Sequence, residues 1–299
     1  MRIAFYTTGL VLLAAAVAAI WIRQQPAVPE TALAAPTPLR HPPLAWPSAP
    51  PAPLMSATAS APASTLDAQI DRLIATRDPK DALAAYQLLA DCASFNRDGD
   101  RLIFDAPPTA PWKNEGSQPG FRALSPAEKI HDAALCPGMS ERMRMSRIDY
   151  LAIAARAGVP GAAVLMAGEG PFGDPTALLA RPDDPLVQAW KQEVLTLLRS
   201  AADDADLGAL EYISVNYLHD DALFGKDPAL AYRYGLARGL IYRDLLSPGE
   251  TLFALYAPDG AQMTGIGAEL SATQRNEALA AATRIADLAR LRQQQAGAR

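Results

Sequence analysis

The chain has 299 residues, half of them apolar, and a formal net charge of −5 at neutral pH. Residues 1–64 hold Arg2, Arg23, Arg40 and Glu30, so the remainder carries 27 − 3 = 24 basic and 32 − 1 = 31 acidic residues, a balance near −7. With only scattered arginines and no basic run, the footprint of a nucleic-acid binder is missing. Alanine and leucine dominate while β-branched and aromatic residues are sparse, so the composition favours an all-α fold.

Residues 3–22, within a first segment 1–23, contain no charge and are long enough to cross a bilayer, with Arg2 before and Arg23 after. The run ends in bulky Ile20-Trp21-Ile22, and Ala32-Leu33-Ala34, which has the small-x-small form of a cleavage site, lies far beyond it. It therefore reads as an uncleaved signal-anchor; the alternative is a secreted protein released by signal cleavage. Residues 24–64 are rich in proline and alanine, which predicts an extended, disordered spacer. Pro47-Ser48-Ala49-Pro50 fits the minimal proline-recognition spelling, but in such a tract the match carries little weight.

Folded structure is expected from Thr65, in an N-terminal helical part 65–150. Leu66, Ile70, Leu73 and Ile74 share one helical face, and Asp78-Pro79 stops that helix and starts another carrying Leu83, Tyr86, Leu88 and Leu89. Residues 95–123 lose periodicity and read as an irregular excursion, with at most a strand-like turn at Leu102-Ile103-Phe104. Ser125 and Glu128 have capping-box spacing, that helix ends at Cys136-Pro137-Gly138, and Ser140 opens a longer one with Met143, Ile148, Leu151 and Ala155 inward.

Cys92 and Cys136 are the only cysteines. In an exported domain an even count reads as a disulfide, here one joining two helix ends across the excursion; in a cytoplasmic domain two buried thiols would be the reading. His41, His131 and His219 are too dispersed to suggest a metal site.

The second part, 151–299, is read as helical repeats. Its better copy has Ala209, Ser214 and Tyr217 on a first helix, then a loop, then Asp227, Ala231 and Tyr234 on a second. A looser copy before it keeps Gly168, Gly170 and Asp174, lacks the tyrosine, and carries an insertion through Pro185 before the helix Leu186 to Ala202. Over about residues 151–240 this pattern resembles the Sel one-like repeat, a short relative of the tetratricopeptide repeat. The resemblance implies antiparallel hairpins stacked as a short α/α solenoid that binds a protein or peptide. The second copy's loop departs from the family by lacking Gly-x-Gly. Ser271 and Gln274 then cap a last helix with Ala278, Ala282, Ile285 and Ala289 on one face, fraying from Arg290 onward.

Candidate chemistry is thin. Gly168-Glu-Gly-Pro-Phe-Gly173 spells a dinucleotide fingerprint, but a helix precedes it, Pro171 interrupts it and Glu169 would oppose phosphate, so it reads as an inter-helix loop. Asp183, Asp184 and Asp206 read as helix-start caps. No catalytic set, cofactor or metal is expected. Tyr212, Tyr217, Tyr232 and Tyr234 are candidate partner-binding residues, although most are expected in the core. The overall expectation is a non-catalytic module, tethered to the inner membrane with its C-terminal part in the periplasm, that binds an unknown protein or peptide. The alternative is a cell-envelope enzyme or cell-wall polymer-binding protein with an acidic cleft at the Asp203–Asp221 end; a purely structural subunit is a third.

Overall fold

The computed structural model describes residues 65–105, 120–245, 257 and 259–297. The anchor and linker read from residues 3–64 lie outside them. Among the described residues no helix is long and apolar enough to cross a membrane. The fold is all-α, with eleven helices and one two-stranded hairpin among the described residues.

The chain opens with α1 (Leu66–Ala75), whose first turn is capped by the Thr65 hydroxyl accepting from the Ala68 amide. Leu66, Ile70 and Ile74 are buried on one face, as their spacing predicts. Asp78 caps α2 (Pro79–Asp98), with proline in the first turn where its missing N–H costs nothing. This helix runs beyond the predicted start of the excursion at residue 95. It stops where Gly99 adopts the left-handed conformation and donates its amide to the Phe95 carbonyl, an ending that needs no proline.

The excursion holds β1 (Leu102–Asp105) and β2 (Gly120–Ala123), paired antiparallel with Leu102 opposite Ala123. The first strand overlaps the predicted strand-like turn; the second was not anticipated, since four residues are too few to show alternation. Ser125 and Glu128 form the full capping box of α3 (Pro126–Leu135), and a single 3-10 turn at Cys136–Gly138 ends it. Ser140 caps α4 (Glu141–Arg156), which buries Met143, Leu151 and Ala155 and leaves Ile148 half-buried. The Cys92–Cys136 disulfide is formed, with 4.9 Å between the Cα atoms, and staples α2 to the end of α3.

A tight turn through Gly158 and Gly161 leads to α5 (Ala162–Glu169). Two short pieces follow, a 3-10 turn at Pro171–Gly173 and α6 (Ala177–Ala180). Asp184 then caps α7 (Pro185–Asp203), and Asp206 caps α8 (Leu207–Asn216). A polar loop returns the chain into α9 (Pro228–Leu245). The unanticipated α10 (Ala261–Ala268) is rich in small residues and shows no apolar stripe. Ser271 and Gln274 make the reciprocal bonds of the last capping box, starting α11 (Ala272–Gly297).

One buried cluster runs from Leu66 to Ala289. Its centre in the C-terminal half is α9, which packs on α8, α10 and α11 and buries every residue from Tyr234 to Tyr242. A helix covered on all sides has no polar face, so it carries no amphipathic period to read. Small residues permit the closeness: a Cβ on Gly267 of α10 would stand 3.0 Å from the Tyr232 ring of α9. Ala278, Ala282, Ile285 and Ala289 of α11 are buried as predicted. The helix continues past Arg290 to Gly297, with Arg290 paired to Asp244 and Asp287, and Arg292 to Asp204.

Ala209 and Ala231 are completely buried, in α8 and α9, two helices that pack together. Replacing either with leucine should overpack its surroundings and destabilise the fold by roughly 1–3 kcal/mol. The same change at half-buried Ala229 should stay within about 0.5 kcal/mol. Chemical denaturation of the three variants checks this; coincident midpoints would contradict the assignment of Ala209 and Ala231 as packing positions.

Candidate functional site

The four tyrosines named from the sequence do not form an open surface. Tyr217 and Tyr234 are 2% and 1% exposed, so they are core residues in this fold and the partner-binding role is corrected for both. Tyr217 lies edge-on to Phe224 at 5.1 Å and its hydroxyl accepts from the Arg199 Nε at 2.7 Å. Arg233 sits over the Tyr234 ring at 4.9 Å and pairs with Asp203. Burial, reinforced by the Asp203 charge, pushes the Tyr234 hydroxyl up to about 12. Tyr212 and Tyr232 are half-buried, the first edge-on to Phe224 and the second against Gly267. Aromatic rings in a helical stack look alike in sequence whether they fill gaps between helices or face a partner.

The carboxylates do not converge on an acidic cleft either. Asp203 and Asp204 end α7 and are paired with Arg233 and Arg292. Asp221 lies in the α8–α9 loop, where it accepts from the Leu223 and Phe224 amides. That loop meets α7 at Lys191, whose Nζ donates to the Ala222 carbonyl at 2.7 Å. Lys191 and Asp203 are separated by about 18 Å of helix. Asp184 and Asp206 are helix caps as predicted, and Asp206 also accepts from the Gly161 amide at 2.7 Å, tying the α4–α5 turn to α8. The cap of α7 is Asp184 and not Asp183: the Asp184 carboxylate accepts from the Leu186 amide at 2.9 Å.

The strongest site candidate lies instead in the loop Gly170–Asp174, which follows helix α5 as expected and not a strand. Glu169 at the end of α5 accepts from the Tyr86 hydroxyl of α2 at 2.7 Å and from Arg147 Nη2 of α4 at 2.6 Å. Both ends of that ion pair are largely covered, so three helices are joined at one carboxylate. Burial, then the hydrogen bond to Glu169, holds the Tyr86 hydroxyl far above the usual phenol range, so it stays a proton donor. On the far side, Asp174 accepts from both the amide and the hydroxyl of Thr176, at 3.0 and 2.6 Å. The hydroxyl bond holds the Asp174 carboxyl below its ordinary value. The loop's start is thus tied to α2 and α4 through Glu169, and its end is closed by a local turn at Asp174.

Within it, Pro171 is buried and Phe172 is turned out, 55% exposed, with φ at 58°. Left-handed backbone is unfavourable for a bulky side chain, and such outliers persist only where their surroundings impose them. Exposed Leu165, Leu179 and Leu186 lie in the same stretch of chain, on α5, α6 and the first turn of α7. The sequence signal for Phe172 was an aromatic between proline and glycine in a loop, which the fingerprint spelling drew attention away from.

Compared with protein-family models, curated proteins and solved structures, the chain matches none.

Proposed function

We propose that this chain is a tethered, extracytoplasmic interaction module in which the Gly170–Asp174 loop presents Phe172 to a protein or peptide. In this reading residues 3–22 anchor it in the inner membrane, residues 24–64 space it from the bilayer, and the helical part works in the periplasm. The Sel one-like resemblance over residues 151–240 supports a stacked, solenoid-type scaffold of the kind used for such binding. The Cys92–Cys136 bridge supports an oxidising compartment.

The observation that carries the proposal is Phe172. An aromatic ring is held in solvent on backbone that glycine would adopt without strain, by a loop fixed through Glu169, Arg147, Tyr86, Asp174 and Thr176. Rigid exposed aromatics are the residues that dominate binding energy at protein interfaces, because they bury much area and lose little entropy. The test is a photo-reactive phenylalanine analogue at position 172 of the full chain, activated in the membranes of its own host. A discrete crosslinked product is expected from position 172 and none from Leu279, an exposed residue of α11.

A further inference from the structure

Phe172 owes its exposure to a backbone conformation that its surroundings must impose. Among the described residues, three other than glycine have positive φ: Arg77, Phe172 and Ala205. Arg77 and Ala205 each stand one place beyond the cap that ends α1 and α7, where a left-handed residue is an ordinary helix ending. Phe172 has no such reason. It is the third residue of a four-residue turn, closed by the Gly173 amide donating to the Gly170 carbonyl at 3.2 Å. Where that place in a turn is left-handed, glycine usually takes it.

Two contacts seat the turn, and both lead to one side chain of α4. On the near flank, Glu169 Oε2 accepts from Arg147 Nη2 at 2.6 Å, while Oε1 accepts from the Tyr86 hydroxyl. On the far flank, a Cβ on Gly173 would lie 3.2 Å from Ile148 Cγ1 and 3.9 Å from the same Arg147 Nη2. The guanidinium is itself fixed to its own helix, Nη1 donating to the Arg144 carbonyl at 3.2 Å. The Arg147 and Glu169 side chains are 17% and 18% exposed, so salt screens their pairing little. A planar guanidinium with donors along several edges holds a carboxylate in a fixed direction as well as at a fixed distance.

We propose that Arg147 is the positioning residue of this site: it fixes the turn from both flanks and so sets the direction in which Phe172 faces. The inference rests on the interaction role proposed above, since the direction matters only where the ring meets a partner. Arg147 is largely covered and acts through Glu169 and the turn. A binding group held loosely loses affinity to the entropy of ordering it, and that is the cost this side chain removes.

Backbone NMR of the isotope-labelled full chain reads the turn directly, because carbon shifts follow φ and ψ. In the wild type Arg77, Phe172 and Ala205 should all show left-handed values. In Arg147→Met only Phe172 should leave them, with Arg77 and Ala205 as internal controls. The same variant carrying the photo-reactive phenylalanine analogue at position 172 should crosslink its partner at least about tenfold less. Glu169→Gln, which keeps the shape and removes the charge facing Arg147, should behave alike, and it decides the matter should Arg147→Met fail to fold. A folded variant in which Phe172 keeps its left-handed shifts would overturn the proposal. So would a moved Phe172 with undiminished crosslinking. A wild type that crosslinks nothing from position 172 would remove the interaction role instead, and the shifts would still decide whether Arg147 sets the turn.

Discussion

Gly170→Ala is expected to be among the most damaging single-methyl changes in this chain. Gly170 stands at φ 74° and ψ 176°, a region open almost only to glycine. A Cβ there would lie 2.3 Å from the Pro175 Cα and 2.6 Å from its nitrogen. Those are backbone atoms next to a proline, so no side-chain rotation relieves the clash. Conformational strain and overlap together should cost at least ~3 kcal/mol. Gly168→Ala, two residues earlier in the same motif, should do the opposite. Gly168 is in α5 with nothing near its missing Cβ, and alanine is the better helix residue by about 0.5–1 kcal/mol. Denaturant midpoints of the two variants separate the effects; equal shifts would mean that the loop backbone is not held as described.

Removing the bridge should have an effect of similar size by a different route. Cys92 and Cys136 are separated by 44 positions, and closing such a loop removes on the order of 4 kcal/mol of conformational freedom from the unfolded chain. The double change Cys92→Ala, Cys136→Ala should therefore lower the unfolding free energy by about that amount. Denaturation of the oxidised wild type and the double variant measures it. A stability unchanged within about 0.5 kcal/mol would show that the bridge constrains little.

What the sequence disclosed and what it concealed divides along physical lines. Helix starts were legible because a cap is a local event: Thr65, Asp78, Ser125, Ser140 and Ser271 each accept from an amide two or three residues on, within reach of a reader of spacing. One-sided faces such as Leu66, Ile70 and Ile74 were legible because half the helix meets water. The disulfide followed from there being two cysteines and a plausible compartment. Central burial was hidden, because α9 is covered on every side and its Gly-Leu-Ala-Arg-Gly run advertises no face. Strand β2 was hidden because four residues are too few to show alternation.

The candidate site was less legible than the fold. Tyr217 and Tyr234 have the same residue type and helical spacing that a binding face would show, and burial alone distinguishes them. Phe172 was passed over because its exposure depends on the left-handed turn that Gly170 and Gly173 frame, and backbone sign is not written in residue type except for glycine. The carboxylate clusters near Asp203 and Asp221 are close in sequence and distant along α7, so proximity in the chain misled.

The most direct test of the central claim pairs two measurements on Phe172→Gly in the full-length chain. Glycine removes the ring and relaxes the left-handed backbone, so stability should change by less than about 1 kcal/mol. Partner crosslinking from a photo-reactive group at exposed Leu165 of α5 should fall at least tenfold, because the aromatic anchor is gone. A folded Phe172→Gly variant that crosslinks as well as the wild type would contradict the account.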